Sequence, residues 1–347
     1  MAVRVIQWAT GSVGRTVLRR LIDHPEMEVV GVYVSNPRKV GVDAGTLVKR
    51  PETGVLATND VEAILALDAD VVIHTPLILP PYERQNEEVA RLLASGKNVI
   101  STNGFYRPDI HGAGYSAPLL AAAETGNATL AGSGLNPGVI AERIAVTLSC
   151  MMARIDQIRT LEVFDASLTD SAGLLFGAMG FGVDPAKEDL RTSPIAKMYN
   201  EYYAEVLHYV ANKLNTEIVD IEPRHELTFA PHKIEMKAGV IEEGCVAATT
   251  WQWFGRFANG TTMLHRILWT ASHQLHGETD TVHWLVELDG RPNLRCTIEL
   301  TDPDPQAPPA RPPMDATAAT IINLIPSVIA APAGFFELPA VAPYRAH

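Results

Sequence analysis

The chain has 347 residues, 47% of them hydrophobic and 20% charged, which is enough apolar material for two domains with separate cores. A formal net charge of −12 argues against a nucleic-acid partner, because a phosphate backbone selects a basic face. Cys150, Cys245 and Cys296 are far apart and form no C-x-x-C pair, so neither a disulfide framework nor a zinc site is expected.

Residues 3–8 form an apolar β-prone run that feeds a glycine-containing turn, and residues 16–22 carry apolar side chains at helical spacing. With a strand beginning at residue 3, a signal peptide is not expected, and a cytoplasmic location is the expectation. The turn reads A-x-G-x-x-G, with Ala9 where a glycine usually sits. Strand, tight turn and helix are the context of a dinucleotide fingerprint, in which the loop of Thr10, Gly11, Ser12, Val13 and Gly14 holds a pyrophosphate at the helix N-terminus.

Residues 27–34 read as the second strand. An NAD site usually places an acid after it to hold the ribose hydroxyls. Here the chain reads Ser35-Asn36-Pro37-Arg38-Lys39, with two cations and no acid. Arg38 is suited to stack on adenine and, with Ser35 and Lys39, to hold a 2′-phosphate. NADP(H) is therefore the preferred cofactor, with NAD(H) the alternative; a merely solvated basic turn is the plain reading of the same residues.

Further strands are expected at 54–58, 70–74, 98–102 and 128–131, with helices at 60–67, 83–95 and 119–124. This alternation predicts an α/β fold with a parallel, doubly wound sheet. Ligands lie beyond the carboxyl ends of such strands, which selects the loops 9–14, 74–77, 101–106 and 132–138. His74 and Thr75 sit there as candidate cofactor contacts, although a buried rim histidine is as good a reading of His74. Asn136 stands between glycines and before Pro137; it either donates to a cofactor carboxamide or a substrate, or shapes the turn.

Beyond a helix at 139–152 the pattern changes. Residues 159–165 are strand-like, 170–179 form a short helix ending at Gly180-Phe181-Gly182, and 194–214 form a long helix carrying Tyr199, Tyr202, Tyr203 and Tyr209. Residues 217–300 are almost all β-like. Asn259-Gly260 predicts a hairpin between 247–257 and 261–272. A two-residue loop would pair Phe254 with His265 and Gln252 with Ile267 on one face, with Trp251 and Trp253 on the other. Residues 301–313 form a proline-rich linker, and 315–329 form a helix expected to return to the first domain. The apolar run 318–336 contains Pro326 and Pro332, so it reads as a buried helix and extended tail, with no membrane partner. The expected division is 1–139, 140–310 and 311–347.

Six stretches carry a resemblance: VIQWATGSVGR at 5–15, ALDADVVIHTP at 66–76, GKNVIST at 96–102, GSGLNPG at 132–138, MGFG at 179–182 and AATIINLIPSVIAAPAG at 318–334. Together they resemble the dihydrodipicolinate reductase-like superfamily, and specifically its branch of diaminopentanoate dehydrogenase and native amine dehydrogenases. The resemblance implies an N-terminal Rossmann domain, a second α+β domain with an open mixed sheet, and a homodimer. It implies hydride transfer between NAD(P)H and a C=O or C=N carbon; the apolar side chains named below as candidate walls add the expectation of a small-to-medium, partly apolar substrate. It places the pocket between the domains, walled by the loop after the fifth strand, Asn136, the helix 170–179 and a late-strand histidine, here His265. Two departures matter. The His-His/Lys stretch and K-x-x-x-P-S-G-T motif of true dihydrodipicolinate reductases are missing, so that activity is not expected. The relatives' glutamate after the fifth strand is also missing: the chain reads Ser101-Thr102-Asn103-Gly104-Phe105-Tyr106, and Asp109 is the nearest acid.

Hydride transfer needs a proton donor or acceptor at the heteroatom and a dry pocket. Candidate donors are Tyr106, His265 and Asp165; their plain readings are a wall aromatic, a cross-strand partner and a helix cap. Phe254, Trp269, Phe181, Leu174 and Leu175 are candidate walls or simple core. His273, His276 and His283 lack metal-ligand spacing. The expectation is an NADP(H)-dependent oxidoreductase; the alternative, suggested by the missing glutamate, is a nucleotide-binding sensor or scaffold without turnover.

Overall fold

The computed structural model describes residues 2–167, 169–277, 282–308 and 310–345, with the side chain of Val282 left aside. Two compact units emerge. The first holds the chain up to Ile78, Glu83–Leu135 and Pro313–Leu338; the second holds Leu79–Tyr82, Asn136–Pro312 and the chain from Pro339.

The first unit is a parallel sheet of β1 (Val3–Trp8), β2 (Met27–Tyr33), β3 (Val71–His74), β4 (Asn98–Ser101), β5 (Thr129–Gly132) and a two-residue strand, Gly334–Phe335. Their order is Gly334–Phe335, β5, β4, β3, β1, β2. Every residue of β3 is buried, the pattern of a strand covered on both faces. One face packs Val5, Val71, Ile73 and Ile100 against Val17 and Leu21 of the first helix, Ser12–Ile22, and against Ile321, Ile325 and Val328. The other packs Ile6, Val72, Val99 and Leu130 against Val89, Leu92, Leu93 and Leu119.

Two expectations fail locally in this unit. Residues 54–58 add no strand to the sheet and make only isolated bridges, Tyr33 with Thr58 and Asp43 with Leu56. The carboxylate of Asp43 explains it by accepting from the amides of Gly45 (2.7 Å), Gly54 (2.8 Å) and Thr53 (3.1 Å), which folds the segment into a loop around one side chain. The expected helix 315–329 is two helices, Arg311–Ile322 and Ile325–Ile329. Pro326 has no N–H to continue a ladder and is placed instead in the first turn of the second helix.

The second unit is built on a mixed sheet. Its strands are β6 (Arg154–Asp165), β7 (Ile218–Pro223), β8 (Glu226–Phe229), β11 (Val246–Phe257), β12 (Thr262–Thr270), β13 (Val282–Arg291) and β14 (Leu294–Ile298). A separate ribbon pairs β9 (Ile234–Met236) with β10 (Gly239–Ile241). The order is β14, β13, β6, β12, β11, β7, with β8 also paired to β11. β6 and β12 run parallel, and the other pairs are antiparallel.

The β11–β12 hairpin is one residue out of the expected register. Trp253 faces His265 and Trp251 faces Ile267, whereas Phe254 faces Leu264. Phe257 donates its N–H to the Thr261 carbonyl (2.9 Å) and Gly260 has φ +89°, so the loop is the three residues 258–260 with glycine in the left-handed position. The extra residue puts His265 on the face of Trp251 and Trp253 and sends Phe254 to the opposite face, where Arg224 lies 4.2 Å from its ring centre.

The long helix Pro194–Lys213 covers the His265 face. Ser193 caps it by accepting from Ala196 N–H (3.2 Å), and proline occupies its first turn. Tyr199 packs beside Trp251 and Trp269, and Tyr203 stacks on Trp253 at 4.3 Å. The helices expected at 139–152 and 170–179 contain wide π-helical turns, Ile140–Ala145 and Gly173–Ala178, with i→i+5 bonds such as Ile144 N–H to Val139 (2.9 Å).

Candidate active site

In the first unit the loop after β1 is held rigidly from below. Ala9 adopts φ +72°, a conformation that glycine enters more easily. Gln7, fully buried, holds it by donating to the Ala9 carbonyl and to Thr75 Oγ1, both at 2.8 Å; Thr75 in turn donates to the Trp8 carbonyl (3.1 Å). Gly14 is fixed by packing: a Cβ there would stand 2.2 Å from the Ala9 carbonyl oxygen and 2.7 Å from Thr75 Oγ1. Gly11 differs. Its φ is −71°, and a Cβ there would meet no protein atom within 4 Å. Gly11 caps the first helix without a side-chain bond, and no acid lies in that helix's first turn. Ser12 and Val13 open the helix, so its free N–H groups and positive dipole end are presented at the loop.

The turn after β2 divides its two cations. Lys39 reaches back to donate to the Thr10 carbonyl (2.8 Å) and Oγ1 (3.0 Å), tying the two loops together. Burial and the nearby Arg15 guanidinium hold its ammonium below the usual lysine range. Ser35 and Arg38 are exposed, and among the described residues Arg38 has no carboxylate partner.

His74 is fully buried, with Nδ1 2.9 Å from Ser101 Oγ and Nε2 2.8 Å from Glu88 Oε1. Both ring nitrogens are used in fixing β3 to β4 and to the helix Asn86–Ala94. Tyr106 is buried, and its ring edge lies 2.9 Å from where a Cβ on Gly132 would stand, so glycine there admits the aromatic ring.

The second unit holds Asn136, Asp165 and His265, and the structure gives each a different setting. Asp165 accepts from Ser167 N–H (2.9 Å), the role of a turn cap. His265 is fully buried with Nδ1 2.6 Å from Thr160 Oγ1, and Nε2 has no hydrogen-bond partner. Burial pushes its pKa down to about 3, so the ring is neutral. Asn136 Nδ2 donates to Glu162 Oε2 at 3.1 Å.

Glu162, absent from the sequence-based candidates, is the centre of a polar cluster. Trp269 Nε1 donates to its Oε1 (3.0 Å), and Trp284 Nε1 to its Oε2 (2.8 Å). Burial raises its pKa, and these three N–H donors oppose the rise. Glu142 was also missed. It lies in the π-helical turn, buried, with both carboxylate oxygens lacking a hydrogen bond. The amides of Gly138, Ala141 and Glu142 itself lower its pKa without reaching bonding geometry; burial outweighs them and lifts it to about 7. Glu205 is buried too and accepts from Tyr82 OH (2.7 Å). Tyr202 is held well above the usual phenol range by its burial, and the charges of Tyr199 and these three glutamates add to the effect.

A signal for Glu162 exists in the sequence. β6 alternates, and Thr160, Glu162 and Phe164 share the face that also carries His265, Ile267 and Trp269 of β12. Glu142-Arg143 is the only charged pair in an otherwise apolar run from 137 to 146.

Residues 4–107 match the family model described as dihydrodipicolinate reductase, N-terminus. An amine dehydrogenase from Streptomyces virginiae is 27% identical over 315 residues, which cover 86% of this chain and 86% of that protein. The chain is similar to the amine dehydrogenase branch of the dihydrodipicolinate reductase-like superfamily. The solved amine dehydrogenase of Mycobacterium smegmatis superposes with TM-score 0.75 at 20% identity, over 97% of this chain and 95% of that one. GenD2 from gentamicin A biosynthesis, solved in complex with NAD, follows at TM-score 0.52 and 16% identity, over 95% and 93%. At these identities the structural likeness speaks to the fold, a Rossmann-like parallel sheet with a second mixed-sheet unit.

Proposed function

We propose that this protein is an NAD(P)-dependent oxidoreductase that moves a hydride to or from a C=O or C=N carbon. The observation that carries the proposal is the contrast between Gly11 and Gly14. Gly14 is glycine because the strand and Thr75 leave no room; Gly11 has no such neighbour and no unusual backbone angle. A glycine with no packing reason, at the open N-terminus of a helix, leaves a space that a pyrophosphate fits. When bound, the nicotinamide supplies or accepts the hydride. The residues of this chain position it: Thr10–Gly14 at the pyrophosphate, and Lys39 as the brace of that loop.

NADP(H) is the preferred form in this reading. The turn after β2 has no acid for the ribose hydroxyls, and the exposed Arg38 beside Ser35 suits a 2′-phosphate. Lys39 is already committed to Thr10, which leaves Arg38 and Ser35 as the recognition pair. The substrate is of small to medium size and partly apolar, in keeping with the apolar candidate walls, and the assembly is a homodimer, as the resemblance implies. A panel of aldehydes and ketones, with and without ammonium, tests the reading through NADPH consumption. Turnover with any member is the expected result; NADPH binding with no turnover across the panel, in either direction, refutes catalysis and leaves a nucleotide sensor.

A further inference from the structure

The first unit gathers positive charge around the β1 loop, although the chain as a whole has a formal net charge of −12. Arg15 stands in the first turn of the helix Ser12–Ile22, with its backbone N–H donating to the Gly11 carbonyl (2.9 Å). Arg38 is set by the turn after β2, where its backbone N–H donates to Asn36 Oδ1 (3.0 Å) and Pro37 opens a short 3₁₀ turn. Lys39 draws that turn onto the loop through its two bonds to Thr10. The Arg15 guanidinium is close enough to help hold the Lys39 ammonium below the usual lysine range, so the two cations repel across this junction.

Nothing on the protein offsets that repulsion. The first turn of the helix and the turn after β2 contain no acid. Arg15 and Arg38 are exposed, and among the described residues neither pairs with a carboxylate. Other arginines of the same unit are treated differently. Arg20, further along the same helix, meets Asp315, and Arg50 meets Asp23, both at 2.6 Å. Like charges collected without a counter-charge cost free energy, and a bound anion removes that cost.

The donors select the anion. A phosphate monoester carries close to two negative charges at neutral pH and three acceptor oxygens. Arg38 brings one charge and one fork of parallel N–H groups. Lys39 has three N–H groups and spends two of them on Thr10. One fork and one remaining ammonium N–H leave a dianion short of donors, and a second guanidinium completes the set. A pyrophosphate makes no such demand, because the free N–H groups at the helix start already meet it.

We propose that Arg15 is a specificity-determining residue for the cofactor, clamping the 2′-phosphate of NADP(H) together with Arg38 while Lys39 holds the two loops at the spacing of the clamp. The clamp rests on the dinucleotide reading of the β1 loop. It adds to that reading the helix residue that reads the phosphate.

The test is calorimetric titration of the full chain with NADPH and with NADH, in the unmodified protein and in Arg15→Ala and Arg15→Lys. The two nucleotides differ only in the 2′-phosphate, so the ratio of their affinities reports on the clamp. The expected ratio is about a hundredfold in favour of NADPH in the unmodified protein, about tenfold smaller in Arg15→Ala, and partly restored in Arg15→Lys, which keeps the charge and loses the fork. An unchanged ratio in Arg15→Ala overturns the clamp. An equal loss on both nucleotides overturns it too, because it gives Arg15 to the pyrophosphate. Equal affinity for NADPH and NADH in the unmodified protein overturns the clamp without recourse to any variant and leaves the oxidoreductase reading standing on NAD(H). Binding of neither nucleotide overturns the clamp and that reading together.

Discussion

Replacing Glu142 by glutamine should change the stability of the second unit in a pH-dependent way. In the folded chain the carboxyl is buried, neither oxygen is hydrogen-bonded, and its pKa is lifted to about 7 from an ordinary 4.5. Between those values the unfolded chain ionises Glu142 and the folded chain does not. A raised carboxyl pKa therefore gives stability that is fully present below 4.5 and lost as pH rises through 7. At 1.36 kcal/mol per unit, the wild type should lose about 2 to 3 kcal/mol between pH 5 and pH 8 from this group alone. Glutamine cannot ionise and removes that slope, whatever fixed penalty its amide adds for unmet donors. Four of the five tryptophans, Trp251, Trp253, Trp269 and Trp284, lie in the second unit, so intrinsic fluorescence follows its unfolding in denaturant. The stability difference between variant and wild type should move in favour of Glu142→Gln by that amount from pH 5 to pH 8. A difference that stays within about 0.5 kcal/mol across the range, the size of an ordinary surface change, refutes the reasoning.

Further predictions concern the loop, the turn and the buried histidine. Gly14→Ala forces a Cβ against the Ala9 carbonyl and should lower stability by about 1 to 3 kcal/mol in thermal melts, as overpacking does, whereas Gly11→Ala should leave the melt within about 0.5 kcal/mol and weaken NADPH binding instead. Loss of NADPH binding without loss of stability in Gly11→Ala is the informative result, and unchanged affinity contradicts the assigned role. Arg38→Ala should reduce NADPH affinity about tenfold and leave NADH affinity unchanged, as removal of a charge-assisted contact to a 2′-phosphate requires. His265, neutral in the fold with its pKa near 3, must remain unprotonated while the unfolded chain takes up a proton below its ordinary 6.5. Its contribution is full above 6.5 and is lost as pH falls toward 3. His265→Gln should therefore flatten the acid side of the fluorescence-detected stability curve; an unchanged acid slope would show that His265 is not the group responsible.

The architecture was legible because its signals are local and repeated. Alternating β and α segments fixed the parallel sheet, and the buried Val/Ile runs at Val71–His74 and Asn98–Ser101 marked its centre. The errors arose where a single side chain or a single residue decides. Asn259-Gly260 marked the hairpin correctly, but the left-handed position of Gly260 in a three-residue loop shifted the register by one and moved Phe254 away from His265. Asp43 turned a β-prone run into a loop, and Pro326 divided one apolar helix into two.

The site was legible to a different degree in each half. Gly11, Gly14 and the acid-free turn after β2 stand out in the sequence as particular residue types at fixed spacing, and the structure accounts for Gly14 by the close approach of the Ala9 carbonyl. The glutamates of the second unit were passed over because a lone charged residue in a strand or helix is usually a solvated one. Glu162 is placed on the interior by its alternation with Thr160 and Phe164, and Trp269 and Trp284, the donors that hold it, lie more than a hundred positions downstream. His74 and Thr75 were correctly placed at strand ends, but their partners, Glu88, Ser101 and Gln7, are known only from the fold.

Calorimetric titration of the full chain with NADPH and with NADH is the most direct measurement of the central claim. Saturable NADPH binding with a dissociation constant of about micromolar order, and weaker NADH binding, is the result expected of a working dehydrogenase site. If neither nucleotide associates at concentrations of about 1 mM, the top of the usual range for such substrates, the β1 loop does not hold a nicotinamide dinucleotide and the proposed chemistry falls with it.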